Sequence, residues 1–142
     1  MPFAPKDFHT LAVWLSQQRP DDEASLRTAI SRVYYAGHLL AVERLVQRGW
    51  APKGTGDDHM GVIRELNRGR TRHLAGRLRQ LLEFREHADY HLEAADTIRN
   101  QDCKYCKQVR DSSPPTALVV NWHHWEEVQE VSQNLLSYLE RL

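Results

Sequence analysis

The stretch LAGRLRQLLEFREHADYHL, residues 74–92, decides the fold class of this chain. Residues of one stripe recur in alternating steps of four and three, at positions 74, 78, 81, 85, 88 and 92. This spacing is typical of the seam along a helix that packs inside a helical bundle. The stripe therefore predicts a helix from about Thr71 to Leu92 with one face turned toward a shared interior.

Similar periodicity recurs along most of the chain and predicts further helices. Either aspartate of the stretch Pro20-Asp21-Asp22 can cap the helix that follows it. A β-branched run at residues 117–120 is too short to found a sheet. We expect one all-α domain over residues 1–142, an antiparallel up-and-down bundle of four or five helices. Besides the helix above, the predicted helices start near Asp7, span about Glu23–Arg48 and Asp58–Asn67, and start near Asn121.

Acidic and basic side chains are balanced, with 19 of each and no formal net charge. This balance argues against a protein that binds nucleic acid through its overall charge, although it leaves a local basic patch open. No apolar run reaches the roughly 18 residues of a membrane span, and the first residues lack the apolar core of a secretory signal. We therefore expect a cytoplasmic protein that does not engage a membrane, with its two cysteines as thiols or metal ligands.

The segment from about 95 to 118 breaks the helical pattern, so we expect an irregular insertion that contains both cysteines. It is long for a structureless loop, which indicates that something orders it. Cys103 and Cys106 form a C-x2-C pattern, while His87 and His91 lie four residues apart and project from one helix face. Two histidines and two cysteines complete the shell of a structural zinc site. The alternative is unrelated surface histidines and free thiols.

Arg85 occupies a position in the stripe where the other members are Leu or Ala. A guanidinium that is buried without a partner loses its hydration, which makes this position costly. Asp89, one turn later, is the local partner that the helix offers. Two interpretations stay open: an ion pair that fixes helix register, or an inward-facing cation placed to meet a phosphate.

Six arginines and a single acid, Glu65, lie between residues 64 and 79. Such a stretch can follow a phosphate backbone, which makes its arginines candidate RNA contacts. The alternative is the solvated face of two helices. The candidate contacts are Arg64, Arg68, Arg70 and Arg72.

Three segments, taken in order, resemble the HEPN-domain family. LRTAISRVYYAGH at 26–38 is similar to the long helix of these domains, and GDDH at 56–59 to the start of their next short helix. LEFREHADY at 82–90 is similar to their L-x-x-R-x-x-A-D-Y segment. The resemblance covers residues 26 to about 92 and implies a HEPN-like bundle that forms a homodimer. It also implies a toxin–antitoxin or defence setting, with an antitoxin or a nucleotidyltransferase as partner.

The same resemblance implies two alternative activities. Many HEPN proteins are metal-independent endoribonucleases with an Arg, four to six residues and a His, and Arg85 and His91 fit this rule. His91 would then be the general acid/base, Arg85 would stabilise the phosphorane, and Asp89 would orient Arg85. Glu86 departs from the active pattern, which favours a non-catalytic interaction module with the zinc site. Zinc at His91 would exclude catalysis by His91, because a coordinated imidazole has no free basic nitrogen.

Overall fold

The regular structure is helical throughout the computed structural model, which describes residues 3–92, 94–111 and 120–142. No strand occurs in this part of the chain, which confirms the predicted all-α class. None of its helices combines the length and apolar character needed to cross a bilayer. The α-helices are α1 (Pro5–Gln18), α2 (Glu23–Gln47), α3 (Asp58–Leu66), α4 (Arg72–Tyr90), α5 (Ala94–Arg99), α6 (Lys104–Asp111) and α7 (Trp122–Glu140).

The helix ends follow local capping chemistry. Asp22 is the N-cap of α2 and accepts a hydrogen bond from the backbone N–H of Ser25 at 3.1 Å, as the sequence predicted. Gly49 follows α2 with a φ of 95°, a conformation that glycine adopts without strain. Asn121 caps α7, because its side chain accepts hydrogen bonds from the backbone N–H groups of His123 and His124. These caps fix where the long helices begin and end.

Helix α2 occupies the centre of the bundle and contacts α1, α3, α4 and α7. Its Tyr34 is fully buried, as are Phe84 of α4 and Trp125 of α7. Gly37 allows α7 to approach closely, since a Cβ atom there would lie 2.9 Å from a methyl carbon of Leu135. The central helix therefore holds α4 at a fixed position, and α4 carries the candidate functional residues.

The expected irregular insertion at about 95–118 is wrong over residues 94–99 and 104–111, because these residues form α5 and α6. Helix α6 buries three side chains of one face, Tyr105, Cys106 and Val109. A face this short is hard to recognise in the sequence, because its apolar residues do not span two full helical periods. Residues 100–103 form the turn between α5 and α6, and residues 112–118, with Pro114 and Pro115, lie outside the described residues.

Candidate metal centre

The C-terminal end of α4 presents two histidines on the same face. His87 is buried and His91, the residue just after the helix, is half-buried. Their Nδ1 atoms lie 3.1 Å apart. Residues four apart are neighbours on a helix surface, so the local geometry alone brings the two imidazoles together.

The two cysteines meet these histidines from the start of α6. Cys103 directly precedes α6, and its Sγ lies 3.7 Å from Nδ1 of His87. Cys106 is fully buried, and its Sγ lies 3.4 Å from Nδ1 of His87 and 3.2 Å from Nδ1 of His91. All four donor atoms lie within 4.8 Å of one another. The structure thus brings together all four residues that the sequence predicted as metal ligands.

Four of the six distances between these donors are close to the edges of a zinc tetrahedron. Zn–N bonds of about 2.05 Å and Zn–S bonds of about 2.3 Å require N···N edges of about 3.3 Å and N···S edges of about 3.5 Å. The observed N···N distance is 3.1 Å and the N···S distances are 3.2, 3.4 and 3.7 Å. Each differs from the ideal edge by only a few tenths of an ångström. The donor set therefore could hold a metal ion: four of its six edges fit a tetrahedron, and all four donors lie within 4.8 Å of one another.

The protonation preferences of the donors follow from their burial. Burial raises the pKa of the Cys106 thiol to about 12, because the interior disfavours a thiolate. Burial also lowers the pKa of His91, which favours the neutral imidazole that a metal binds. A bound cation would stabilise the Cys106 thiolate and so reverse the effect of burial on this thiol.

Arg27 of α2 fixes the backbone that carries the two histidines. Its guanidinium donates to the carbonyl oxygens of Ala88 at 2.5 Å, His91 at 2.8 Å and His87 at 3.2 Å. These carbonyls lie at the end of α4, where a helix leaves its last carbonyls without intrahelical partners, and that of His87 also accepts from the backbone N–H of His91 at 3.1 Å. Glu23 pairs with Arg27 at 3.0 Å and accepts from the backbone N–H of Val120 at 3.0 Å. One ion pair therefore ties α2, the end of α4 and the start of α7 together.

Sequence reasoning missed this role of Arg27. The donor and its acceptors are about 60 residues apart, and the acceptors are backbone carbonyls that every residue possesses. The one signal that existed is the spacing of Glu23 and Arg27, an i,i+4 pair on a predicted helix. That spacing indicates an ion pair, but it does not indicate that Arg27 also binds the backbone at the end of α4.

An aromatic contact holds α6 against α4 beside the candidate metal ligands. The rings of Tyr105 and Phe84 stack with centroids 3.8 Å apart and planes 23° apart. Both side chains are fully buried. This contact sets the position of the first turn of α6, which carries Cys106.

Arg85 forms the ion pair that the sequence predicted. Its Nε donates to Asp89 at 2.9 Å, and the hydroxyl of Ser31 donates to the same carboxylate at 3.2 Å. The guanidinium also lies 5.5 Å from the ring centre of Tyr35 and donates to the hydroxyl of Tyr90 at 3.3 Å. The side chain keeps 16% of its surface exposed. Arg85 is thus held against the tyrosines of α2.

His59 of α3 shares the surroundings of Arg85. Its Nδ1 lies 2.5 Å from the hydroxyl of Tyr34, and its ring centre lies 6.1 Å from that of Tyr35. Burial lowers the pKa of His59, and the charge of Arg85 lowers it further. His91 instead directs Nδ1 at Cys106. The catalytic pairing of Arg85 with His91 stays a prediction, and His59 was not among the predicted site residues because it lies 26 residues upstream of Arg85.

The four candidate RNA contacts lie apart from the metal ligands. Arg64, Arg68, Arg70 and Arg72 are all exposed, around the end of α3 and the start of α4. Arg68 forms an ion pair with Glu65 at 3.2 Å. Their exposure suits contact with a phosphate backbone, and their role in RNA binding stays a prediction.

Compared with known protein families, with curated proteins and with solved structures, the chain matches none of them. Membership of the HEPN family therefore stays a prediction that depends on the three segments within residues 26–92.

Proposed function

We propose that this protein is a non-catalytic interaction module in which a structural zinc ion fastens the α5–α6 segment to the helical bundle. The observation that carries the proposal is the placement of four donors from two separate elements within 4.8 Å of one another. Four protein ligands fill a tetrahedral shell and leave no position for a substrate or a water molecule. An ion bound in this way stabilises structure rather than supplying chemistry.

Zinc is favoured over other cations by the donor chemistry. Imidazole and thiolate are the ligands of zinc, whereas calcium and magnesium require oxygen. A tetrahedral set of two sulfurs and two nitrogens also suits zinc geometry, since zinc has no preference for square or octahedral coordination. The N···N and N···S distances agree with this choice.

The proposed role of the ion is to hold a surface in place. Helix α6 has eight residues, and helices of this length are not stable in water on their own. Large apolar side chains remain exposed on or beside the α5–α6 segment, namely Tyr90, Leu92 and Ile98. We assign these side chains to the partner-binding surface. A second copy of this chain is the partner that the HEPN resemblance predicts, with an antitoxin or a nucleotidyltransferase as the alternative.

Metal analysis of protein purified without chelators or a histidine tag tests the zinc site. We expect one zinc per chain. His87→Gln and Cys106→Ser should lose the metal, whereas His123→Gln should retain it, because His123 is 92% exposed and is not among the four donors. Protein that contains no zinc, or loses it equally in all three variants, would reject the site.

Analytical ultracentrifugation tests the interaction surface separately. We expect dimers of the zinc-loaded chain that weaken when the metal is removed, and that also weaken in the Leu92→Asp/Ile98→Asp variant with its zinc retained. A matched control is Leu11→Asp/Trp14→Asp, which places the same two charges at exposed apolar positions of α1. Equal association in the double variant and the wild type would remove this surface as the dimer contact.

A second candidate function, metal-independent cleavage of RNA, is favoured by the position of Arg85 in one cluster with His59 and Tyr34. In this alternative His59 would be the general acid/base and Arg85 would stabilise the phosphorane. Zinc-loaded protein should then cleave an RNA oligonucleotide, and Arg85→Lys and His59→Gln should abolish cleavage while His73→Gln does not. Cleavage that persists in the Arg85 variant would reject this function.

A further inference from the structure

A cavity lined by arginines lies at the end of the bundle where α2 and α7 end and α4 begins. It has a volume of about 410 Å³ and is lined by Arg48, Arg70, His73, Tyr138 and Arg141, among others. No acidic side chain of the described residues lines it. Three cations from three distant parts of the sequence therefore face one cavity, and no Asp or Glu side chain among its lining residues balances them.

A second cavity of about 330 Å³ continues the first. The two share Arg48, Arg70 and Thr71, and the second adds Arg68 and the ring of Trp50. Glu65 is the one acidic side chain on this cavity among the described residues, and it already pairs with Arg68 at 3.2 Å. We call the joined cavities the arginine groove, defined by Arg48, Arg68, Arg70, Arg141, Trp50 and Tyr138.

Three of the four arginines of the groove, all but Arg68, have no ion-pair partner in the described part of the chain. The side chains of Arg48 and Arg70 form neither a hydrogen bond nor an ion pair with any described residue. Arg141 donates to the neutral hydroxyl of Ser137 at 3.1 Å, and its guanidinium lies 5.6 Å from the ring centre of Tyr138. The whole chain has no net charge, so this concentration is local. Gathered cations of this kind are stabilised by a polyanion.

We propose that the arginine groove binds the phosphodiester backbone of a single-stranded nucleic acid. Guanidinium groups form paired hydrogen bonds with phosphate oxygens, and arginines along two adjoining cavities suit successive phosphates. Tyr138 is 43% exposed and Trp50 lines the second cavity, so an aromatic ring accompanies the cations in each cavity. Such rings stack on bases that are unpaired, which favours a single strand over a duplex.

The groove revises the set of candidate RNA contacts and is independent of the zinc site. Of the four arginines that the sequence predicted, Arg68 and Arg70 line the groove. Arg64 lines a third cavity, which shares Trp50 and Arg68 with the second but carries Asp57 and Asp58, so we leave it out of the groove. Arg72 does not line the two joined cavities. Arg48 and Arg141 were not predicted, because they lie far from the arginine-rich stretch in the sequence.

Fluorescence anisotropy with the zinc-loaded full chain tests the proposal. The probes are fluorescein-labelled 12-nucleotide oligo(U) and oligo(dT), a duplex of equal length and a labelled polyglutamate. We expect both single strands to bind, with an affinity that falls as salt rises. A preference for either the RNA or the DNA strand supports the proposal and identifies which nucleic acid supplies the phosphates. Absence of binding to both, or tighter binding of the duplex or of polyglutamate, overturns it.

Matched variants separate the groove from overall charge. Arg48→Gln/Arg70→Gln/Arg141→Gln should weaken binding at least tenfold and lower the slope of log affinity against log salt by about 2, at about 0.7 per phosphate contact. The control Arg19→Gln/Arg79→Gln/Arg99→Gln removes the same charge from exposed positions outside the groove. Equal losses in the two triple variants overturn the proposal.

Stacking on the tyrosine is tested by a pair of single variants. Tyr138→Leu should weaken binding several-fold without changing the salt slope, and Tyr138→Phe should restore the wild-type affinity, because it keeps the ring. Circular dichroism confirms that each variant is folded. Wild-type affinity in the leucine variant overturns the stacking part of the proposal.

Discussion

Removal of the proposed zinc ion should release α6 from the bundle while the long helices stay folded. Ordering the backbone of eight residues costs about 1–2 kcal/mol per residue. Burial of Tyr105 and Val109 returns about 1.5–3 kcal/mol for each side chain. The apolar contact of α6 is therefore several kcal/mol short of its ordering cost, even before the buried thiol of Cys106 is considered. Coordination of four ligands supplies energy of the required size, since structural zinc sites contribute about 10 kcal/mol or more.

Hydrogen exchange followed by mass spectrometry measures this release directly. We expect the amides of residues 104–111 to exchange at least 100-fold faster in metal-free than in zinc-loaded protein, which corresponds to about 2.7 kcal/mol. Amides of α2 should keep their protection. A chelator can reach the centre through a cleft of about 580 Å³ that His91 and Cys103 help to line. Cys106→Ser should reproduce the effect without a chelator.

The reasoning would be refuted by α6 amides that stay equally protected with and without metal. It would also be refuted by simultaneous loss of protection in α2, because the metal would then support the whole bundle rather than one segment. His123→Gln should behave as the wild type, since its imidazole is exposed and outside the donor set.

Three further predictions concern stability and the support of the site. Arg27→Met removes the guanidinium that binds three carbonyls at the end of α4, so it should weaken zinc binding about 10–100-fold in a chelator competition, whereas Arg19→Met should not. Unchanged affinity would contradict the role of Arg27. Gly37→Val should destabilise the protein by about 1–3 kcal/mol in urea denaturation, because its side chain meets Leu135. Gly76→Ala should stabilise the protein by up to about 1 kcal/mol, because a Cβ atom there meets nothing within 4 Å. Similar effects of the two substitutions would count against close packing of Gly37 on Leu135. Burial lowers the pKa of His38 from 6.5 to about 4, opposite His59 and Asp58 of α3. As the pH falls, the unfolded chain therefore protonates His38 before the folded chain does. The stability that neutral His38 contributes is fully present above pH 6.5 and is lost as the pH falls toward 4. His38→Gln should lose less unfolding free energy than the wild type between pH 7 and pH 5, and parallel curves would contradict this.

The long helices could be predicted because their signals are local. A stripe of apolar side chains over residues 74–92 and an aspartate at position 22 each act within a few residues of themselves. Tertiary packing then reinforces what the local pattern already favours. Helix α6 was missed because its order depends on contacts elsewhere in the chain, namely the ring of Phe84 and the imidazoles of α4.

In the candidate site, too, the features with local signals could be predicted and those that depend on distant contacts could not. The four donors could be predicted because His87 and His91 share a helix face and the cysteines form a local C-x2-C pattern. Their convergence across the gap between residues 91 and 103 was a hypothesis about chemistry, and the structure confirms the convergence. The contact of Arg27 with the end of α4 could not be predicted, because its acceptors are backbone carbonyls, which do not depend on residue type.

The directions of the side chains on α4 determine whether zinc binding and RNA cleavage can use the same histidine. Each residue turns a helix by about 100°, so His87 points about 160° away from Arg85, and His91 joins His87 on that side. Within one chain, the six-residue step from Arg85 to His91 therefore separates the cation from the imidazole. A second copy could supply its own Arg85 to His91, yet an imidazole bound to zinc through Nδ1 carries its hydrogen on the other nitrogen and cannot accept a proton. RNA cleavage by fully zinc-loaded protein would consequently require a different histidine, and His59 is the one beside Arg85. Cleavage that appears only after zinc is removed would instead return the catalytic role to His91 and contradict a structural role for the ion.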